Sequence, residues 1–185
     1  MSYDTRSTYV DAKRKKLIRE FLINQFEFEM VTGLAGPDIN QYIEYMQSKG
    51  CKEFEIFEKD SSIFNKQVST INTTANVTLK HDDILKAESK KPNTLYDLDF
   101  CTSARFMGDY MKKFKDNFIM TFCLRPVGTE ETLSKFFGER NEIILKKSNW
   151  QYKSIKYSKI LTGVGEYIYT SYRDTIPMCC IAKIN

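Results

Sequence analysis

Between residues 29 and 126 the chain repeats one pattern, a short apolar run that ends in a polar or glycine-rich turn. The runs are 28–32, 54–57, 77–79 and 118–122, with a fifth, 95–99, between the last two. Apolar runs of this length bounded by turn residues predict buried strands. Helical spacing recurs between them. Leu17, Ile18, Phe21 and Leu22 trace an apolar face over residues 9–26. Ile39, Tyr42, Ile43 and Met46 do the same over 37–48, where Pro37 suits a first helical position and Gly50 a stop. Residues 61–75 predict a short helix and a loop, and 104–115 and 130–137 two further helices. The tail is rich in tyrosine and β-branched residues. There 166–172 and 177–184 predict two antiparallel strands joined around Arg173, Asp174 and Thr175. Strands that alternate with helices predict an α/β fold. The expected organisation is a basic N-terminal helix, 1–27, packed on one domain, 28–185.

Composition narrows the classes. At 185 residues with 42% hydrophobic content, the chain can bury a real core within one domain. The net charge of +4 permits an anionic partner without demanding one. The five cysteines (Cys51, Cys101, Cys123, Cys179, Cys180) form no CxxC pair, and His81 is the lone histidine. A disulfide framework and a zinc site are both disfavoured, so no metal is expected. The chain starts polar and then basic, without the look of a signal peptide. No apolar run approaches the ~18 residues of a membrane span. The expectation is a cytoplasmic protein with no membrane partner. Lys13, Arg14, Lys15, Lys16 and Arg19 crowd one side of the first helix. They are either a solvated face or a contact for the phosphate backbone of RNA or DNA.

The turns carry the candidate chemistry. Open α/β sheets bind ligands at the carboxyl ends of their strands. Gly33-Leu34-Ala35-Gly36 follows the first run and lets backbone approach a ligand closely. Asp38 lies in the first turn of the next helix, where a pyrophosphate would otherwise dock. The turn therefore suits a ligand without phosphates and with an amino group. Glu58 and Asp60 follow the second run. The residue nearer the strand end, Glu58, is the better acceptor for ribose hydroxyls. Asp83 follows the third run and either accepts from an adenine amino group or caps a turn. Alternation puts Asp97 and Asp99 on one face of the fourth strand, where two buried carboxylates need donors.

Taken in order, Gly33-Leu34-Ala35-Gly36-Pro37, Glu58, His81-Asp82-Asp83-Ile84 and Asp97-Leu98-Asp99-Phe100 resemble the class I S-adenosylmethionine-dependent methyltransferases. The resemblance spans residues 29–126, and the tail pair is similar to the reversed last strand of that fold. It implies a Rossmann-like seven-stranded mixed sheet flanked by helices, with an antiparallel C-terminal strand. It implies S-adenosylmethionine as methyl donor. Gly33, Ala35, Gly36 and Asp38 would lie at its methionine part, Glu58 at the ribose and Asp83 at the adenine, with Asp97 among the donor-binding residues. The run Asp97-Leu98-Asp99-Phe100-Cys101-Thr102-Ser103 is similar to the Asp-x-Asp-Pro-Phe-Gly-Ser segment of transfer RNA guanine N2-methyltransferases. Phe100 stands in place of the proline, Cys101 of the aromatic and Thr102 of the glycine.

The resemblance implies methyl transfer to an exocyclic amino group of a nucleic-acid base. Asp99, Phe100 and Cys101 would sit at the catalytic position. A carboxylate at Asp99 would accept the amine N–H bonds, and Phe100 would stack on a planar substrate. A chain this short has little room for a target-recognition domain, so a second copy or a partner subunit is an expected source of specificity. The altered segment 100–102 also fits a weak or inactive binding subunit of the same fold. A cysteine nucleophile at Cys101 or Cys123 is disfavoured, because neither has the Pro-Cys context of such enzymes.

Overall fold

The computed structural model describes residues 9–88, 92–103, 113–114, 117–123, 144–146, 151–152, 155–162, 165–173 and 177–184. The chain divides into two compact units. One is Phe26–Leu98, and the other joins Met1–Gln25 to Asp99–Asn185.

The Phe26–Leu98 unit holds three parallel strands in succession, β1 (Met30–Gly33), β2 (Glu53–Phe57) and β3 (Asn76–Lys80), then the start of β4 (Thr94–Ser103). Their order is β3-β2-β1-β4. Gly33 is in register with Ile56 on one side and Asp97 on the other, and Phe57 is in register with Lys80. All the pairings are parallel, so the turns that leave β1, β2 and β3 emerge along one edge. Val31, Phe54, Ile56 and Leu95 are buried, as strands covered by helices should be.

Two helices serve this unit. Helix α2 (Ile39–Gln47) buries Ile39, Ile43 and Met46, the spacing read from the sequence. It begins at Ile39, two residues after Pro37, and Asp38 takes the N-cap position without making a cap hydrogen bond. A cap contributes about 1 kcal/mol, while each buried side chain contributes roughly 1.5–3 kcal/mol. Burial, not capping, therefore holds α2. Helix α3 (Ser61–Thr70) is started differently. Asp60 accepts from the amides of Ser62 and Ile63. Its only buried residue is Gln67.

In the second unit, helix α1 (Tyr9–Ile23) buries Ile18, Phe21, Leu22 and Ile23 and lies against β9 (Gly165–Arg173). The rest of β4 is followed by β5 (Phe118–Cys123), β6 (Ile144–Lys146), β7 (Gln151–Tyr152), β8 (Ile155–Thr162), β9 and β10 (Pro177–Ile184). Strand β10 runs antiparallel to both β5 and β9. The series β3-β2-β1-β4-β5-β10-β9 is the Rossmann-like seven-stranded mixed sheet with its antiparallel C-terminal strand. Strands β8 and β6 continue it past β9, and β7 pairs with β8. The helix expected over 130–137 and most of that over 104–115 lie outside the described residues.

One expectation changes here. The fourth strand does not end with the run 95–99. Strand β4 runs on through Ser103, because Phe100, Cys101 and Thr102 are residues that favour extended, paired backbone. Asp99 therefore lies inside the strand instead of at its end, and it belongs to the second unit.

Candidate functional site

The edge at which β1, β2 and β3 end is built from three short turns. Gly33 closes β1, and its reason for being glycine is internal. A Cβ there would come within 2.6 Å of the Asp97 carbonyl oxygen and 3.1 Å of the Tyr42 hydroxyl. Closeness to β4 is by itself enough to require glycine at this position. Gly36 is the opposite case. Its φ is +66°, the left-handed region, and no atom of the described residues lies within 4 Å of where a Cβ would stand. Its side-chain face is open, and its carbonyl accepts from Gln67 Nε2 at 2.7 Å. Ala35 beside it is half-buried. Asp38 is exposed and 3.9 Å from Lys66 Nζ.

Glu58 is buried at the end of β2. Its amide donates to the Lys80 carbonyl at 3.0 Å, and its Oε1 accepts from the Asp60 amide at 2.8 Å. Asp60, the other acid of that turn, is committed to the N-terminus of α3. Ser62 and Ile63, hydrogen-bonded to it, hold its carboxyl below the usual range. Asp60 is thus taken up by the start of α3, while Glu58 orders the turn between β2 and α3.

The third turn holds Asp82 and Asp83. Asp83 is half-buried and caps a single 3-10 turn, Ile84–Lys86, through Leu85 N→Oδ1 at 3.0 Å. Asp82 pairs with Lys86 at 2.8 Å, which lowers its pKa. His81 stacks on Phe64 with ring centroids 4.7 Å apart.

Asp97 sits beneath the glycine turn, fully buried. Its Oδ2 accepts from the Tyr42 hydroxyl at 2.9 Å. Leu34 N also donates to the Asp97 carbonyl at 3.1 Å. Asp97 thus ties β4, β1 and α2 together.

In the second unit, Asp99 forms an ion pair with Lys15 of α1 at 2.5 Å. Burial would raise its pKa, but the charges of Lys15 and Arg19 outweigh it and hold the carboxyl below the usual carboxylate range. Its Oδ1 is buried and has no hydrogen-bond partner among the described residues. Phe100 is buried, 7% exposed. The side chain of Cys101, like that of Cys123, lies outside those described. Cys51 and Cys180 are buried, and burial pushes both thiols up to about 11.

The structure brings Gly36, Asp38, Glu58 and Asp83 to one edge, with Asp97 packed under it. Sequence reading missed Tyr42, Gln67 and Lys15 as partners. Tyr42 carried a helical signal but no sign of what it would meet, and Gln67 sat in a polar stretch with no signal at all.

No protein-family profile matches the chain, and no curated protein matches it. Solved structures do. An S-adenosylmethionine-dependent O-methyltransferase from Thermotoga maritima covers 98% of this chain and 69% of its own length, at 16% identity and a TM-score of 0.51. A Streptococcus pneumoniae protein described as a candidate tRNA (m1A22) methyltransferase covers 94% of this chain and 70% of its own, at 9% identity and a TM-score of 0.55. The chain has the fold of the class I S-adenosylmethionine-dependent methyltransferases.

Proposed function

We propose that the chain binds S-adenosylmethionine at the edge of the Phe26–Leu98 unit and transfers its methyl group to an exocyclic amino group of a nucleic-acid base. The observation that carries the reading is the placement of Gly36, Glu58 and Asp83 at the ends of three adjacent parallel strands. The residues fit the donor. Gly36 offers open backbone in a left-handed turn. Glu58 offers a buried carboxylate whose Oε1 already orders the turn. Asp83 uses Oδ1 for its cap and has Oδ2 for an amino group. The turn around Gly33, Ala35 and Gly36, with Asp38, would hold the methionine part, Glu58 the ribose hydroxyls and Asp83 the adenine. When bound, S-adenosylmethionine supplies a methyl group activated by a sulfonium. The chain's part is to position donor and acceptor in line.

The nucleic-acid acceptor rests on the likeness of Asp97-Leu98-Asp99-Phe100 to amino-methyltransferase segments, on the net charge of +4 and on the fold shared with a candidate tRNA methyltransferase. Asp99 would accept the amine N–H bonds. In that role its carboxylate must exchange Lys15 for the substrate amine. The Lys15–Asp99 pair favours a second reading, a donor-binding partner subunit that transfers nothing.

Calorimetry with S-adenosylmethionine tests both. Folded protein that gives no heat at millimolar donor refutes the donor site. If donor binds, tritiated-methyl transfer into total RNA, DNA and protein separates the readings. Label in nucleic acid is expected, and none in any polymer selects the subunit. Glu58→Ala is expected to weaken donor binding by ~10-fold or more, as loss of a charge-assisted hydrogen bond does; unchanged affinity places the ribose elsewhere. Asp99→Ala is expected to abolish transfer with donor affinity nearly intact, and parallel loss of both contradicts its role.

A further inference from the structure

Gln67 is the one residue that α3 buries, and it is polar. Its Nε2 donates to the carbonyl of Gly36 at 2.7 Å, while its Oε1 is buried without a hydrogen-bond partner among the described residues. A buried acceptor left unpaired is unfavourable, and an apolar side chain of the same length would avoid it. What the amide does that an apolar chain cannot is hold the Gly36 carbonyl. Gly36 is also where the turn needs holding, since its φ of +66° is one that glycine leaves as easily as it enters.

The neighbourhood repeats the theme. Asn40, in the first turn of α2, donates Nδ2 to the Thr70 carbonyl at 2.9 Å and accepts the Asn72 amide on Oδ1 at 3.0 Å. Lys66 of α3 lies 3.9 Å from Asp38. Four polar links from α3 and the residues just after it therefore meet the glycine turn and the start of α2.

We infer that Gln67 is a positioning residue. It locks the 33–38 turn into the conformation that receives the methionine part of the donor, and it touches no ligand itself. This rests on the donor site proposed above. A preorganised turn loses less conformational freedom on binding, so the lock acts on affinity. It acts on the methionine end alone, since Glu58 and Asp83 are held by other contacts.

The test compares wild type with Gln67→Met, which keeps length and packing but donates nothing. Hydrogen exchange of the native protein is read first. Faster exchange in residues 34–38 with β1 and β2 unchanged is expected. Equal exchange in that turn overturns the inference, whether or not any donor binds. Titration with S-adenosylmethionine and, separately, adenosine follows. A loss of about five- to tenfold for the donor, with adenosine affinity unchanged within twofold, is expected. Equal weakening of both overturns the inference in favour of a general packing role. So does a donor affinity equal to wild type. Wild type that takes up neither ligand overturns the site on which the inference depends, a result distinct from the other two. Should Gln67→Met fold poorly by circular dichroism, Gln67→Leu carries the same comparison.

Discussion

Gly33 and Gly36 stand three residues apart and are glycines for different reasons. At Gly33 the obstacle is space, because the Asp97 backbone oxygen would lie 2.6 Å from a Cβ and cannot swing away like a side-chain tip. At Gly36 the obstacle is only φ. Gly33→Ala should cost about 1–3 kcal/mol through overpacking, and Gly33→Asn more. Gly36→Ala should cost roughly 1–2 kcal/mol, and Gly36→Asn less, since asparagine tolerates left-handed backbone. Urea unfolding of the four variants checks the reversal in order. Asp99 makes a second prediction at this scale. Its folded pKa lies below its unfolded value, so its contribution is present at neutral pH and is lost as pH falls through the folded pKa. Asp99→Asn should destabilise by about 1–3 kcal/mol at pH 6, and the gap to wild type should shrink below about pH 4. A gap of constant size from pH 6 to pH 3 would show that the charge on Asp99 contributes nothing.

At the scale of elements, α2 and α3 are started in opposite ways. Asp60 caps α3 through two backbone amides and the Ser62 hydroxyl. Asp38 holds the corresponding place before α2 and makes no cap bond. Asp60→Ala should lower the melting temperature by ~2–4 °C, and Asp38→Ala should leave it within about a degree. Thermal unfolding followed by circular dichroism separates the two. Strand β4 is the other instructive element. Read from the sequence, it ends at Asp99; in the structure it continues to Ser103. Strand ends are weakly marked when the residues beyond them also pair well, as Phe100, Cys101 and Thr102 do. That extension places Asp99 inside the strand instead of at its end, with Lys15 as its neighbour in charge.

For the molecule as a whole, the alternation of strands and helices over residues 28–80 and the antiparallel pair near the C-terminus were plain from periodicity. Strands β6, β7 and β8 were missed. They lie where polar and apolar residues mix without a clear period, and pairing with β9 or with each other defines them. The cysteines answer to the same logic. Cys51 and Cys180 are buried by packing that no spacing rule reveals, and burial raises both thiols to about 11. In native protein at pH 8, iodoacetamide should therefore leave both unmodified, and denaturant should expose them. Peptide mass mapping before and after denaturation tests this. No helix among the described residues is long and apolar enough to cross a membrane.

Local chemistry was enough to place Glu58, Asp60 and Asp83 in turns and to anticipate the parallel core, because each depends on neighbours within a few positions. Contacts between distant segments settled the rest: Tyr42 reaching Asp97, Gln67 reaching Gly36 and Lys15 reaching Asp99. Such partners are chosen by how strands register and helices pack, and a one-dimensional pattern carries the propensity of each residue but not the identity of the group it will meet.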